Sequence, residues 1–338
     1  MIPIRFKIAL KQIGNNMACS VAICAGPHLS FLDHLAPLCD LFDMPLYAPY
    51  FDEIPYPHIK VVDSLADFET FFYVEPSRLH EEAFKFDNLL IQEKKRSVCG
   101  LHGNSNKCRD VFWAERFVEE DIVMVYGNYM KDFFQEKGVW QRLKNPIFCG
   151  NYRFNYFKKY HDAFKVKLPG SGKKVLYAPT WSYWDATDNS PFFECHTRLL
   201  DDVPEGFSIL VKLHPYMYRL HPEKVRALEE KYRDNPRVFI LKETSLVYPI
   251  LEGVDIYIGD YSSVGYDFLA FDRPLFFFAD KVDPLLAKCG VKIGKGNIFS
   301  QLENEGSSEE RQKLYHHCFA DVKEEELKCK VSALLSMK

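Results

Sequence analysis

The chain has 338 residues, a length that predicts two domains, since single domains commonly run to about 100–200 residues. Hydrophobic residues make up 47% and charged residues 27%, which excludes a disordered or fibrous protein. The formal net charge of −4 argues against a nucleic-acid-binding protein, because such a protein carries a strongly basic surface; we expect no nucleic-acid partner.

The first 14 residues, MIPIRFKIALKQIG, leave two interpretations open. Lys11 interrupts their apolar stretch and no small-residue cleavage site follows, so we do not expect a signal peptide. They form either an ordinary first element of the fold or a segment resting on an anionic membrane surface, with Arg5, Lys7 and Lys11 near the headgroups. No apolar run reaches the ~20 residues of a membrane span, so we expect a cytoplasmic protein, free or at the inner face of the cell membrane.

The first half of the chain alternates short apolar strands with helical segments. Strands are predicted at 20–26, 44–49, 59–64, 97–103, 121–127 and 146–150, and helices at 28–42 and 128–138. A polar and basic stretch at 155–174, which ends in Pro-Gly-Ser-Gly, is predicted to be a linker.

The second half resumes the same alternation. Strands are predicted at 174–180, 207–215, 237–242, 254–260 and 274–280, with a helix at 222–234 and further helices at the C-terminus. Alternation of this kind is typical of βαβ units on a parallel sheet. We therefore predict an α/β fold of two doubly wound, Rossmann-type domains facing a central cleft, spanning residues 1–160 and 161–338.

The ten cysteines are scattered through the chain and none forms a C-x-x-C pair. Scattered cysteines in apolar runs indicate reduced, buried thiols rather than a disulfide framework or a zinc site. The sequence HHC at 316–318 has no further suitably spaced ligands, and GVKIGKGN at 290–297 lacks the P-loop pattern, so we interpret them as a solvated helix face and a loop.

The stretch GDYSSVGYDF places Asp260, Ser262 and Ser263 between a predicted strand and a predicted helix. Ligands of open α/β sheets bind at the carboxyl ends of the strands, where the first amides of a helix attract anions. Serine is also a good helix cap. Two interpretations of this stretch therefore stay open: a phosphate-binding site, or serines that only cap the helix.

Two other strand ends of the second half carry polar side chains. In VKLHP, Lys212 and His214 end a strand; the histidine is suited to meet a phosphate, to act as acid or base, or merely to cap the next helix. In VLYAPTW, Thr180 and Trp181 end a strand, and Trp181 either stacks on a base or simply covers the cleft.

In the first half, GLHGNSNK places His102 and Gly103 after a predicted strand, with Lys107 a turn later. A histidine at this edge is suited to be a general base for an acceptor hydroxyl, and a loop histidine without a role is the alternative.

Taken together, VLYAPTW, VKLHP and DIYIGDYSSVGYDFLAFDRPLFFF resemble, in order and spacing, the CDP-glycerol glycerophosphotransferase family of teichoic-acid polymerases and primases. GLHGNSNK resembles that family's HG…K segment, and IFCGNYRFNYF, which contains Arg153, resembles its Gly-x-x-Arg-Asn segment. The resemblance covers roughly residues 95–280.

The resemblance implies a GT-B-like fold and transfer of glycerol phosphate, or a related polyol phosphate, from a CDP-activated donor to an acceptor hydroxyl, with release of CMP. The acceptor would be a polyol, a glycan or a lipid-linked molecule. His102 and His214 match the family's two catalytic histidines. The remaining expected substrate contacts are Lys212, Thr180, Trp181, Asp260, Ser262, Ser263, Gly103, Lys107 and Arg153.

Three departures from the family's pattern concern the acceptor and the transferred group. The family's Thr-Pro-x-Lys is Asn104-Ser105-Asn106-Lys107 here, Lys212 stands where arginine is common, and Ser182 replaces the arginine after APTW. Two other functions stay open: a GT-B glycosyltransferase using a nucleoside-diphosphate sugar, and a non-catalytic GT-B ligand-binding module. We expect no metal cofactor, although a loosely bound Mg²⁺ on the diphosphate is compatible with the sequence; the oligomeric state is not indicated.

Overall fold

The computed structural model describes residues 19–24, 29–74, 95–104, 111–181, 192–242, 246–278 and 282–337. The chain divides into two compact units. The first contains Met1–His102, Arg109–Ala163 and Cys318–Lys338; the second contains Gly103–Cys108 and Phe164–His317. The N-terminal segment 1–14 and Lys107, for which the sequence analysis makes predictions, lie outside the described residues.

The first unit is built on a parallel sheet of seven described strands. These are β1 (Ser20–Ile23), β2 (Leu46–Tyr47), β3 (Val61–Val62), β4 (Thr70–Val74), β5 (Arg96–Gly100), β6 (Ile122–Val125) and β7 (Pro146–Phe148). Its helices include α1 (Leu29–Phe42), α2 (Val111–Glu115), α3 (Asn128–Glu136) and α4 (Tyr152–Lys159). The strand order is β3-β2-β1-β4-β5-β6-β7, so the direction of winding reverses between β1 and β4.

The second unit repeats this architecture on a parallel sheet of six described strands. These are β8 (Lys173–Tyr177), β9 (Phe207–Val211), β10 (Val238–Ile240), β11 (Ile256–Gly259), β12 (Leu275–Phe278) and β13 (Val291–Ile293). The helices of this region are α5 (Phe192–Leu200), α6 (Pro215–Leu220), α7 (Pro222–Tyr232), α8 (Tyr248–Glu252), α9 (Ser263–Phe268), α10 (Pro284–Cys289), α11 (Ile298–Gln301) and α12 (Ser308–Cys318). The order β10-β9-β8-β11-β12-β13 reverses between β8 and β11.

The central strands of both sheets are almost continuously apolar because helices cover both faces of a parallel sheet. In the second unit, the buried core joins residues of β8, β9, β11 and β12 to residues of α5 and α7. The α/β class and the doubly wound arrangement of both halves are thereby confirmed. A cleft between the halves stays a prediction.

Three local predictions differ from the structure. Strand β4, which lies in the middle of the first sheet, was not predicted, because TFFYV follows an acidic stretch without a turn signal. The expected linker at 155–174 begins inside α4, whose N-cap Asn151 accepts a hydrogen bond from the Phe154 amide at 3.1 Å. The expected loop at 290–297 contains β13, which pairs with β12.

The C-terminal segment belongs to the first unit, whereas the sequence analysis placed it in the second domain. The Ala320 amide donates to the Tyr126 carbonyl at 2.9 Å, and a Cβ atom at Gly127 would lie 2.7 Å from the Cys318 carbonyl oxygen. The last helix, α13 (Glu324–Ser336), follows. Its amphipathic pattern indicates a buried face but not which sheet covers it, so the sequence could not assign it.

The nine described cysteines form no disulfide, in line with the expectation of reduced thiols. Cys19 and Cys329 are exposed, so the expectation that the thiols are buried is wrong for these two. Among the described residues, no helix has the length and apolarity required to cross a bilayer.

Candidate active site

The carboxyl ends of β8 and β11, neighbours at the switch point of the second sheet, are tied together by Asp260. Its two carboxylate oxygens accept hydrogen bonds from the Thr180 amide at 2.9 and 3.1 Å, and both residues are about 1% exposed. A carboxylate repels a phosphate, whereas here it holds a backbone amide. Asp260 therefore positions these two strand ends; the donor contact expected from the sequence stays a prediction.

Two buried tyrosines lie beneath this connection. The Tyr257 hydroxyl donates to the Ala178 carbonyl at 3.4 Å. Burial first, and the nearby Asp260 carboxylate second, raise the pKa of Tyr177 and the pKa of Tyr257 well above the ordinary value. Both phenols therefore stay neutral, and neither adds negative charge to the edge where a phosphate would bind.

Ser262 and Ser263 play different parts at the start of α9. Ser262 is the N-cap residue: its backbone is extended, with φ −77° and ψ 137°, and its Oγ accepts a hydrogen bond from the Val264 amide at 3.4 Å. Ser262 is buried, while Ser263 is half-exposed at the first helical position. Capping thus explains Ser262, and Ser263 is the serine whose hydroxyl is suited to a ligand.

Gly103 lies directly against Ser263, within the second unit. A Cβ atom at Gly103 would be 2.8 Å from the Ser263 Cβ and 2.9 Å from its Oγ. The φ angle of +84° is also one that side-chain-bearing residues rarely adopt. The glycine of the HG motif is therefore required by a close approach to the start of α9.

His214 ends the third strand of this edge and caps helix α6. Its Nδ1 accepts a hydrogen bond from the Tyr216 amide at 3.1 Å. A ring nitrogen that accepts from an N–H carries no proton itself, so the neutral imidazole has its proton on Nε2. The sequence left open whether His214 caps a helix or contacts a phosphate. The two roles are compatible, because the cap fixes the tautomer in which Nε2 carries the proton and can donate a hydrogen bond.

An aromatic cluster adjoins His214. The Trp181 ring centroid lies 6.1 Å from that of His214 and 5.1 Å, edge to face, from that of Tyr216. The Arg219 guanidinium lies 4.8 Å from the Tyr216 centroid. Trp181 also packs against the core of the unit, so it is part of a fixed aromatic wall. Lys212, half-buried, leaves β9 two residues before His214.

His102 belongs to the first unit, where it follows β5. Its ring centroid lies 5.1 Å from that of Phe31 and 4.8 Å from that of His34. Both neighbours are on α1, three residues apart and therefore on one face of the helix. The sequence analysis did not select His34; the only signal was a histidine at helical spacing from Phe31 within an apolar stretch.

Arg153 lies inside the first unit. It is 3% exposed, its Nε donates to the Asp33 carbonyl at 3.2 Å, and its Nη2 is 3.7 Å from the Asp33 carboxylate. The Tyr56 hydroxyl donates to the same carboxylate. These contacts place Arg153 in an internal ion pair with Asp33; the substrate contact expected from the sequence stays a prediction.

Within the described ranges, no three or more His, Cys, Asp or Glu side chains lie close enough together to hold a metal ion. The HHC stretch at 316–318 falls on α12 and is included in that statement. The expectation that no metal cofactor is needed stays a prediction.

Comparison with known proteins finds a family that matches part of the chain. Residues 156–291 match the family described as CDP-glycerol:poly(glycerophosphate) glycerophosphotransferase. The matched segment includes the strand ends with Thr180, His214 and Asp260, together with Ser262 and Ser263.

Two curated relatives are teichoic acid glycerol-phosphate primases. The protein of Bacillus spizizenii is 30% identical over 165 residues, which is 47% of this chain and 40% of that protein. The protein of Bacillus subtilis is 29% identical over 153 residues, which is 44% of this chain and 36% of that protein. Each match thus spans well under half of the relative's length.

Solved structures agree on the fold across nearly the whole chain. A variant of the wall teichoic acid polymerase TagF superposes with a TM-score of 0.61 at 14% identity, covering 98% of this chain and 97% of that one. Staphylococcus aureus MnaA, solved with UDP, superposes with a TM-score of 0.53 at 9% identity, covering 94% and 96%. The predicted GT-B-like fold is confirmed by these neighbours.

Proposed function

We propose that the chain transfers glycerol phosphate from CDP-glycerol to an acceptor hydroxyl and releases CMP, because residues 156–291 match the CDP-glycerol:poly(glycerophosphate) glycerophosphotransferase family. The observation that carries the proposal is His214: inside the matched segment, at the carboxyl edge of the sheet, its Nδ1 is engaged by the Tyr216 amide and its proton is on Nε2. A fixed N–H donor at this edge suits a phosphoryl oxygen.

The reaction breaks one bond and forms one bond at the phosphorus atom that carries glycerol. The acceptor oxygen attacks this phosphorus, the bond to the bridging oxygen of the diphosphate breaks, and CMP leaves with the electron pair. Negative charge develops on the non-bridging oxygens and on CMP, so catalysis consists mostly of positioning and electrostatic stabilisation.

Four side chains of the second unit supply that stabilisation. The His214 Nε2–H donates to a phosphoryl oxygen, and the Lys212 ammonium offsets the charge on the diphosphate. Ser263 offers its hydroxyl and the first amide of α9. Trp181 forms the aromatic wall beside which the planar base of the nucleotide is placed. Ser262 and Asp260 hold the backbone that presents these groups.

His102 takes the proton of the acceptor hydroxyl as general base. The acceptor is a polyol, a glycan or a lipid-linked glycerol-phosphate chain, and the reaction takes place at the inner face of the cell membrane. No group of three or more metal-binding side chains lies together in the described part of the chain, and a Mg²⁺ ion would arrive with the diphosphate of the donor.

The test is product analysis with purified protein, CDP-glycerol and a short glycerol-phosphate oligomer as acceptor. CMP release and lengthening of the oligomer by wild type, with both lost in His102→Ala and His214→Ala, are the expected results. UDP release from a UDP-sugar donor set would instead establish a glycosyltransferase. A donor that raises the melting temperature without yielding product in either set would identify a ligand-binding module.

A further inference from the structure

A buried cluster of the first unit surrounds His102. Phe31 and His34, on one face of α1, both contact its ring, with centroid distances of 5.1 and 4.8 Å. His34 is only 4% exposed. Burying an imidazole instead of an aliphatic side chain costs free energy unless its ring nitrogens are hydrogen-bonded, so a histidine at this position calls for a reason.

The bonds of His34 lead back to the chain next to His102. Its Nδ1 lies 2.7 Å from the Tyr126 hydroxyl, and that hydroxyl lies 3.3 Å from the Leu101 carbonyl oxygen. Both contacts are satisfied when His34 Nδ1–H donates to the Tyr126 oxygen and the Tyr126 O–H donates to the Leu101 carbonyl. Leu101 directly precedes His102. His34 therefore contacts the His102 ring directly, and through Tyr126 it is also connected to the backbone next to His102.

Tyr126 is itself held rigidly. It follows β6, is 1% exposed, and stacks on Tyr152 with a centroid distance of 5.7 Å and an interplanar angle of 7°. Phe319 packs edge-to-face against the same ring, with a centroid distance of 5.6 Å. Because aromatic packing fixes the ring, the hydroxyl is a fixed point between α1 and the end of β5.

We infer that His34 is a positioning residue for His102: its ring and its hydrogen bond to Tyr126 fix the place and orientation of the His102 imidazole. The inference rests on the proposed function, in which His102 is the general base. A base displaced by about 1 Å loses roughly 10²-fold in rate, so the support should appear in kcat. The competing explanation is that His34 only fills the core.

The experiment compares four variants by steady-state kinetics with CDP-glycerol and the glycerol-phosphate oligomer. His34→Leu removes the imidazole and keeps apolar bulk, and Tyr126→Phe removes only the bridging hydroxyl. His34→Asn places an amide near the position of Nδ1 and can still bond to Tyr126. Tyr73→Phe is the matched control, because it also deletes a buried hydroxyl of the same unit, one that donates to Glu120.

We expect His34→Leu and Tyr126→Phe to lower kcat about 10- to 100-fold with the KM for CDP-glycerol nearly unchanged. His34→Asn should recover most of the loss, and Tyr73→Phe should keep the wild-type kcat. If His34→Leu and Tyr126→Phe lose no more kcat than Tyr73→Phe at equal melting temperature, His34 only packs the core and the inference is overturned.

A readout independent of turnover separates this inference from the proposed function. Histidine-labelled protein shows the His102 imidazole by NMR, assigned with His102→Gln. Tyr126→Phe and His34→Leu should move its resonances and its titration midpoint, whereas Tyr73→Phe should not. Absence of CMP release by wild type would overturn the proposed function alone; unchanged His102 resonances in both variants would overturn the positioning role, whatever the activity.

Discussion

His214 combines an observed structural role and a proposed chemical role in one ring. Its Nδ1 caps α6 by accepting from the Tyr216 amide, which leaves the proton on Nε2. Proline at the first helical position, Pro215, adds a preset φ to the same turn. The two nitrogens can therefore be tested separately, because the side-chain oxygen of asparagine can replace Nδ1 as the capping acceptor, whereas asparagine has no group at the position of Nε2.

We predict that His214→Asn folds almost normally and loses at least ~10²-fold in kcat, since Asn caps helices well and carries no Nε2–H. His214→Ala should lose the same activity and also about 1 kcal/mol of unfolding free energy, the usual cost of a lost cap. Thermal unfolding and CMP release measure the two effects. Equal destabilisation by both substitutions would show that the cap contributes nothing.

Asp260 is the other residue whose contacts define a structural role. Asp260→Ala should leave the Thr180 amide buried without an acceptor, at a cost of about 1–3 kcal/mol. We expect a melting temperature lower by several degrees and a higher KM for CDP-glycerol, because the ends of β8 and β11 lose their connection. If Asp260 instead contacted the reacting phosphate, kcat would change far more than stability.

Single elements place the residues that the chemistry needs. Helix α9 starts at Ser263, and the loop at Gly103 approaches it so closely that no side chain fits. The strand ends of β8, β9 and β11 bring the motifs to one edge because parallel strands share a direction.

Gly103→Ala should therefore have a larger effect than the strain of a positive φ alone would produce. The matched control is Gly206→Ala, with a similar φ of +88° and no atom within 4 Å of the added Cβ. Both variants carry backbone strain of about 1–3 kcal/mol. We predict that only Gly103→Ala also loses CMP release, because Ser263 must move by the overlap with the new methyl group. Equal activity of the two variants would contradict this.

Helix α12 is attached to the second unit by Asp272, which follows a 3-10 turn at Leu269–Phe271. Its carboxylate accepts hydrogen bonds from Ser308, Arg311 Nε at 2.8 Å and Gln312 at 2.9 Å. Burial opposes its ionisation, but the hydrogen bonds outweigh burial and hold the pKa of Asp272 below its ordinary value of 3.8.

A lowered pKa stabilises the fold above the ordinary pKa, and that stabilisation is lost as the pH falls through the folded-state value. We predict that Asp272→Asn is less stable than wild type at neutral pH and that the difference shrinks below about pH 4. Asparagine tolerates the left-handed φ of +49° at this position, so the substitution adds no backbone strain; it removes the charge and replaces one acceptor oxygen by an NH2 donor. Urea unfolding at pH 7 and pH 3 measures it; a constant difference would refute the linkage.

The C-terminal residues Cys318–Lys338 belong to the first unit, although residues of the second unit precede them in the chain. The Arg96 guanidinium, at the start of β5, donates to the carbonyl groups of Leu334, Leu335 and Met337, with 2.8 Å to Met337. These carbonyls lie at the C-terminal end of α13, where the Leu334 carbonyl also accepts from the Met337 amide at 3.3 Å. One planar guanidinium therefore connects the start of β5 to residues far away in sequence.

Arg96→Lys should loosen this closure, because an ammonium lacks the fork that reaches three carbonyls. We expect faster hydrogen exchange at residues 324–337 and a lower melting temperature. Arg142→Lys is the control: its partner Glu115 is exposed, and exposed pairs contribute only ~0–1 kcal/mol. Unchanged exchange in Arg96→Lys would show that α13 is held by apolar packing alone.

The local patterns of the sequence were sufficient for the alternation of strands and helices, the α/β class and the three strand-end motifs of the second half. These follow from neighbours in the chain: apolar runs, proline and glycine, and serine before a helix. Strand β4 was not predicted because nothing in the local sequence marks its start. Strand β13 was not predicted because a glycine-rich stretch indicates a loop. His34 was not selected because the sequence around a histidine in a helix does not indicate that it contacts His102.

By itself, then, the sequence determined the parallel-sheet architecture and the chemistry available at the ends of β8, β9 and β11, since both depend on residue types and their spacing. Only the tertiary structure decided that Asp260 holds the Thr180 amide, that Arg153 pairs internally with Asp33, and that residues 318–337 pack on the first unit. The physical reason is that a buried polar group or an apolar face needs a partner, but its identity is settled by long-range packing, which no local pattern specifies.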